Sequence, residues 1–125
     1  MGGDASKYNI LTNIHGKNLQ FNGKNFLHST NSAEWETWTF EKIDKDLYYI
    51  SNDTHDVRLS ANNDCKTVYA SKNRAAWERW NLHFNGLGQF FIQSSHGCYL
   101  GQASDGGLYQ TRNKGLAETW KIVKK

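Results

Sequence analysis

The sequence predicts an all-β fold of twelve short strands in three repeats of about 40 residues. Three observations predict it. The pattern Ser/Thr-x-Asn-x-x-x-x-Glu-x-Trp occurs three times without gaps, at 29–38, 71–80 and 111–120. Trp38 and Trp80 are 42 residues apart, and Trp80 and Trp120 are 40 apart. Upstream, His15 and Leu19, His55 and Leu59, and His96 and Leu100 repeat one His-x-x-x-Leu spacing. Around these marks apolar residues recur at every second position, broken by Asn-Gly and Asp-Gly turns, which is strand and hairpin patterning. A unit of four short strands cannot bury its own apolar face, so three must close on one another. Closure also removes exposed sheet edges. Twelve strands in three equivalent groups form a β-trefoil, a six-strand barrel capped at one end by three hairpins. Leu19, Leu59 and Leu100, with Trp38, Trp80 and Trp120, are the expected three-fold layers inside it.

Residues 1–7 are expected to be a flexible segment and 8–125 one domain, with repeats at 8–46, 47–86 and 87–125. In the first repeat, 8–14 is a mixed apolar strand and His15-Gly16-Lys17 turns. Strands at 18–21 and 25–29 pair across Asn22-Gly23, the strongest hairpin signal in the chain. At 37–43 strict alternation puts Trp38 and Phe40 on one face. The second repeat gives strands at 47–51, 57–61, 67–71 and 80–84, with a longer turn at Asn62-Asn63-Asp64-Cys65. Asn85-Gly86 marks the junction to the third, which gives 90–94, 99–102, 108–111 and 119–123 around an Asp105-Gly106-Gly107 turn. Helix is a poor alternative, because Asn and Gly recur every few residues. Residues 75–80 fit one helical turn between strands.

With 38% apolar and 14% aromatic residues among 125, the chain is globular rather than disordered. The net charge of +3 falls mostly in the last repeat, too weakly clustered for nucleic acid but suited to an anionic filament or lipid surface. Cys65 and Cys98 occupy non-equivalent places in their repeats, and without an apolar leader a cytoplasmic setting with free thiols is expected. Asn52-Asp53-Thr54 is a glycosylation sequon, read in that setting as a loop sequence. The start, Met1-Gly2-Gly3-Asp4-Ala5-Ser6-Lys7, fits the N-myristoylation pattern at Gly2. Lys7 and the C-terminal Lys121, Lys124 and Lys125 would form one basic patch if the termini are neighbours, the second signal that one acyl chain needs to hold a membrane.

Among repeated residues, Trp38, Trp80 and Trp120 read as core, and Glu36, Glu78 and Glu118 as carboxylates that fix a loop through backbone N–H groups. Asn31, Asn73 and Asn113 suit turns, where the side chain bonds nearby backbone, or else offer one polar ligand contact per unit. His15, His55 and His96 read as turn residues bonding local backbone rather than as a metal site, and no metal or cofactor is expected. Trp35 and Trp77 stand apart, because Ala117 takes the third position. They either pack over the barrel end or stack on a sugar ring or protein partner. No nucleophile elbow, phosphate loop or metalloprotease motif is present, so an enzyme is not expected.

The run His-Gly-x-x-Leu, a hairpin, then Glu-x-Trp-x-apolar resembles the fascin and hisactophilin family of β-trefoils over residues 8–125. That resemblance implies a non-enzymatic module binding actin filaments, tethered to membrane through Gly2. Hisactophilin-type members are rich in histidine and respond to pH; this chain has five histidines, so pH sensing is not carried over. The Glu-x-Trp element is also similar to the Gln-x-Trp signature of ricin-type lectin trefoils. The alternative it implies is a lectin binding glycans near Asn31, Trp35, Asn73, Trp77 and Asn113.

Overall fold

Alternating apolar residues separated by turn residues give twelve strands in the computed structural model, which describes residues 6–12 and 14–125. In chain order they are β1 Ser6–Thr12, β2 Asn18–Phe21, β3 Phe26–Ser29, β4 Trp38–Asp44, β5 Leu47–Asn52 and β6 Val57–Ala61. Then come β7 Val68–Ser71, β8 Trp80–Phe84, β9 Phe90–Ser94, β10 Tyr99–Gln102, β11 Leu108–Thr111 and β12 Trp120–Lys124. Six close a barrel: β1 pairs with β4 and β12, β5 with β4 and β8, and β9 with β8 and β12. The other six form the hairpins β2–β3, β6–β7 and β10–β11, which join the barrel at β1, β5 and β9. This is the expected β-trefoil.

The repeat dictates the core. Ile10, Ile50 and Ile92 form one three-fold set, Leu19, Leu59 and Leu100 a second, and Trp38, Trp80 and Trp120 a third; all are buried. Each Leu or Ile so buried contributes about 1.5–3 kcal/mol. A buried indole N–H needs a partner, and the hairpins supply it: Trp38 Nε1 donates to Leu19 O at 2.9 Å, Trp80 Nε1 to Leu59 O at 3.0 Å, and Trp120 Nε1 to Leu100 O at 2.8 Å. One bond per unit thus ties the barrel to its hairpin. The turn after β10 needs glycine on two counts. Gly106 has φ +96°, and a Cβ there would lie 2.5 Å from the Leu27 carbonyl carbon of the first unit.

Two boundaries differ from expectation. β1 spans Ser6–Thr12, not 8–14, so Ser6 and Lys7 belong to the barrel rather than to a flexible segment. The reason is pairing on both sides: Lys7 lies opposite Thr39, and its carbonyl accepts the Lys125 N–H at 3.0 Å. The single helical turn expected at 75–80 is a 3₁₀ turn at Ala76–Glu78, with counterparts at Glu34–Glu36 and Leu116–Glu118. A further 3₁₀ turn, Asp53–His55, links β5 to β6.

Candidate functional site

The thrice-repeated loop is built by its own side chains. At its start a hydroxyl accepts the N–H two residues on: Ser29 Oγ from Asn31 at 2.9 Å, Ser71 Oγ from Asn73 at 3.0 Å, and Thr111 Oγ1 from Asn113 at 3.3 Å. At its end the buried carboxylates of Glu36, Glu78 and Glu118 accept the N–H groups of Ala33, Ala75 and Gly115 at 2.8, 2.9 and 2.8 Å. The second carboxylate oxygen is met by Gln20 Nε2, Ser60 Oγ and Tyr109 OH. The carboxylates therefore fix the loops as expected. The asparagines do not make the turns, because the neighbouring hydroxyls do so. The side-chain amides of Asn31, Asn73 and Asn113 are exposed and make no hydrogen bond among the described residues.

Trp35 and Trp77 lie in this frame, 44% and 37% exposed. Trp35 borders a shallow cavity of about 230 Å³ with Asn31, Gln20 and Glu36. Trp77 borders one of about 390 Å³ with Asn73, Tyr69 and Glu78. Each tryptophan meets a histidine of the next unit, Trp35 with His55 at 5.8 Å between ring centres and Trp77 with His96 at 5.4 Å. A larger cavity of about 540 Å³ lies among the three hairpins, between Phe21, Phe26, Val68 and Leu108. It holds no repeated polar set, so the tryptophan loops are the better candidate.

The histidines act between units rather than on local backbone. His15 Nε2 donates to Gln102 O, and His96 Nε2 to Ala61 O, each at 2.9 Å. Ala61 and Gln102 end equivalent strands, and each belongs to the unit before its histidine in the three-fold cycle. His55 follows the same geometry, edge-on to Phe21 at 5.2 Å, while its Nδ1 bonds Asn52 Oδ1 at 2.8 Å. Closing the trefoil sets each His turn onto the preceding unit's hairpin, which is why the contacts are not local. Among the described residues no cluster could hold a metal ion.

The third unit is built differently. Gly101 stands where the other units have Gln20 and Ser60, and a Cβ there would lie 2.5 Å from Tyr109 Cε1. The Tyr109 ring fills that space, its hydroxyl donates to Glu118, and Ala117 offers no aromatic face. Burial, reinforced by the Glu118 carboxylate, pushes the Tyr109 hydroxyl well above its usual range.

The expected basic patch is dispersed. Lys7 and Lys125 are neighbours, but Lys7 Nζ pairs with Asp53 at 3.3 Å and Lys125 Nζ donates to Ser32 O at 3.0 Å and to Ala33 O at 3.3 Å. Lys121 lies opposite Leu11, four positions along β12 from Lys125, and Lys124 has the strand parity of Trp120 and Ile122, on the other face. Gly2 lies outside the described residues. The cysteines are not free thiols: Cys65 and Cys98 form a disulfide with Cα atoms 5.9 Å apart. The β6–β7 turn of unit two meets the β9–β10 turn of unit three there, a contact that the repeat period does not encode. Asn52 of the sequon is fully buried and donates to Trp35 O at 3.2 Å, so its amide serves the loop.

No protein-family model matches the chain, and no curated protein matches it by sequence. Solved structures do. ThreeFoil, a designed 3-fold symmetric protein, aligns with a TM-score of 0.83 at 19% identity, over 95% of this chain and 99% of its own. SeviL, solved with asialo-GM1 saccharide bound, aligns at 0.81 and 20% identity, over 95% and 97%. An exo-β-1,3-galactanase from Clostridium thermocellum aligns at 0.79 and 19% identity, over 96% of this chain and 30% of that one. These likenesses establish the β-trefoil fold.

Proposed function

We propose that this protein is a non-enzymatic carbohydrate-binding module with two shallow sites, at Trp35 and Trp77. The observation that carries the reading is the pair of exposed indoles beside unengaged asparagine amides, on loops pinned by buried glutamates. A half-exposed indole offers a face on which a sugar ring can stack, and a free amide can both donate to and accept from sugar hydroxyls. The fold does not need these indoles, since Ala117 stands in the third loop without one. The saccharide-bound neighbour shares the fold and is consistent with this use. A disulfide persists in oxidising compartments, and on that ground we propose that glycan binding takes place outside the cytosol.

Titration of tryptophan fluorescence with a panel of mono- and oligosaccharides is the test. Saturable quenching is expected, reduced in Trp35→Ala and in Trp77→Ala and abolished in the double variant. A flat response in the native protein across the panel at millimolar concentration would refute the reading. The actin-filament reading that the fascin resemblance implies draws on surface loops and on basic residues, of which Lys7 and Lys125 are neighbours; it is tested by co-sedimentation, where pelleting would favour it over the carbohydrate reading. Lipidation at Gly2 is a separate proposal, read as a myristoyl increment in the intact mass after expression in eukaryotic cells.

A further inference from the structure

The two tryptophan sites share their frame but not their charge. In the first loop the variable positions are Thr30, Ser32, Glu34 and Thr37. In the second they are Lys72, Arg74, Ala76 and Arg79. Glu34 lines the first cavity, and its carboxylate accepts the Thr54 hydroxyl at 3.2 Å. Lys125 lies behind that loop and donates to its Ser32 and Ala33 carbonyls, not to Glu34. The second loop has no acid except the buried Glu78, which its counterpart Glu36 matches.

Around the second loop stand Arg58, Lys72, Arg74 and Arg79. Two acids face them: Asp56 pairs with Lys72 at 3.3 Å, and Glu41 pairs with Arg74 at 2.7 Å. Four cations against two carboxylates leave an excess of two positive charges. Arg58 and Arg74 are ordered over the Tyr49 ring, at 5.7 and 4.9 Å from its centre, so the cluster is held in place rather than spread over free side chains. Arg79 makes no ion pair among the described residues. Its position is the one from which Thr37 and Thr119 reach the carbonyls of Ala33 and Gly115, which places it beside the Trp77 loop. The third loop carries Arg112 and Lys114 but no tryptophan, so charge without a stacking face occurs there.

We infer that the Trp77 site selects a saccharide bearing an acidic group, a sulfate or a carboxylate, while the Trp35 site takes neutral sugar. This rests on the carbohydrate reading and names the ligand class of one of its two sites. The sugar ring stacks on Trp77, its hydroxyls meet Asn73, and its anionic group lies toward Lys72 and Arg79. At the first site the Glu34 carboxylate repels the same ligand.

The test titrates the native protein with matched pairs of neutral and acidic saccharides: galactose, N-acetylglucosamine and lactose, each beside its sulfated form and a carboxylate-bearing form. Runs at low and physiological salt follow. The acidic member of at least one pair should bind about tenfold tighter at low salt, with the advantage shrinking as salt rises. The advantage should vanish in Trp77→Ala and in the double variant Lys72→Gln/Arg79→Gln. It should persist in Lys121→Gln, which removes a positive charge from the barrel wall. Whether sulfate or carboxylate gains more identifies the group preferred. Equal binding within every pair would overturn the inference and leave the carbohydrate reading standing. An acidic preference that survives Trp77→Ala would overturn it by placing the anion elsewhere. No binding by any saccharide would overturn both.

Discussion

Replacing Glu78 by alanine tests how the site loops are held. The carboxylate is 2% exposed and accepts two hydrogen bonds, from Ala75 N–H at 2.9 Å and from Ser60 Oγ at 2.6 Å. Hydrogen bonds to a charged group contribute about 1.5–3 kcal/mol each, and removing the acceptor strands both donors away from water. Glu78→Ala should therefore cost about 3–5 kcal/mol, a large part of the stability of a domain this size. In a melt followed by near-ultraviolet circular dichroism that is a fall of roughly 10–20 °C. Glu78→Gln keeps one carbonyl oxygen for Ala75 N–H, and its amide can donate to the Ser60 hydroxyl, which rotates to accept. It should lose about 1 kcal/mol. A fall of less than about 3 °C in the alanine variant, or a glutamine variant that costs as much as alanine, would refute this role for the carboxylate. The second outcome would show that charge, not hydrogen-bond geometry, fixes the loop.

Three further outcomes are expected. Reducing the Cys65–Cys98 bond, which closes a sequence separation of 33 residues, should lower stability by about 3–4 kcal/mol on the loop-entropy account, seen as a lower melting midpoint with reductant; an unchanged midpoint would count against it. Gly106→Ala, combining left-handed φ with contact on the Leu27 backbone, should cost about 2–4 kcal/mol in urea unfolding, whereas an alanine at the open, left-handed Gly88 should cost less. The Asp64 carboxyl is held down to about 2 by the Thr67 hydroxyl, then by the N–H groups of Thr67 and Lys66. A depressed carboxylate stabilises the fold above its unfolded value of 3.8 and loses that effect as pH falls toward 2. Carboxyl NMR titration should place its midpoint near 2, and Thr67→Val should raise it.

Much of the scaffold was legible because it repeats. Three copies of one motif at a near-constant spacing, alternating with period two, admit few arrangements, and the buried Trp38, Trp80 and Trp120 follow from them. What was not legible lies between units. His15 and His96 look like local turn residues, yet their partners Gln102 and Ala61 are 87 and 35 positions away. Cys65 and Cys98 sit at unlike places in two repeats, and only closure of the barrel brings their turns together. The asparagines show a different ambiguity. Ser or Thr and Asn occur together in every loop, either could make the turn, and the geometry gives it to the hydroxyl.

The site depends on where the repeat is broken. Tyr69 and Tyr109 hold the same place in the pattern, so these two positions alone do not set their units apart. The difference comes from the strand beside them: Ser60 carries a side chain, while Gly101 carries none and admits the Tyr109 ring. That ring takes over as donor to the buried glutamate and occupies the space beside Gly101. Ala117, in the loop that follows, offers no aromatic face. The missing tryptophan and the glycine thus fall in the same unit. The same reasoning explains the first two units, where donors from Gln20 and Ser60 satisfy the glutamate from within the hairpin and leave the outer face free. Symmetry builds the barrel, and departures from it decide which of three equivalent loops presents an exposed indole beside an unengaged amide.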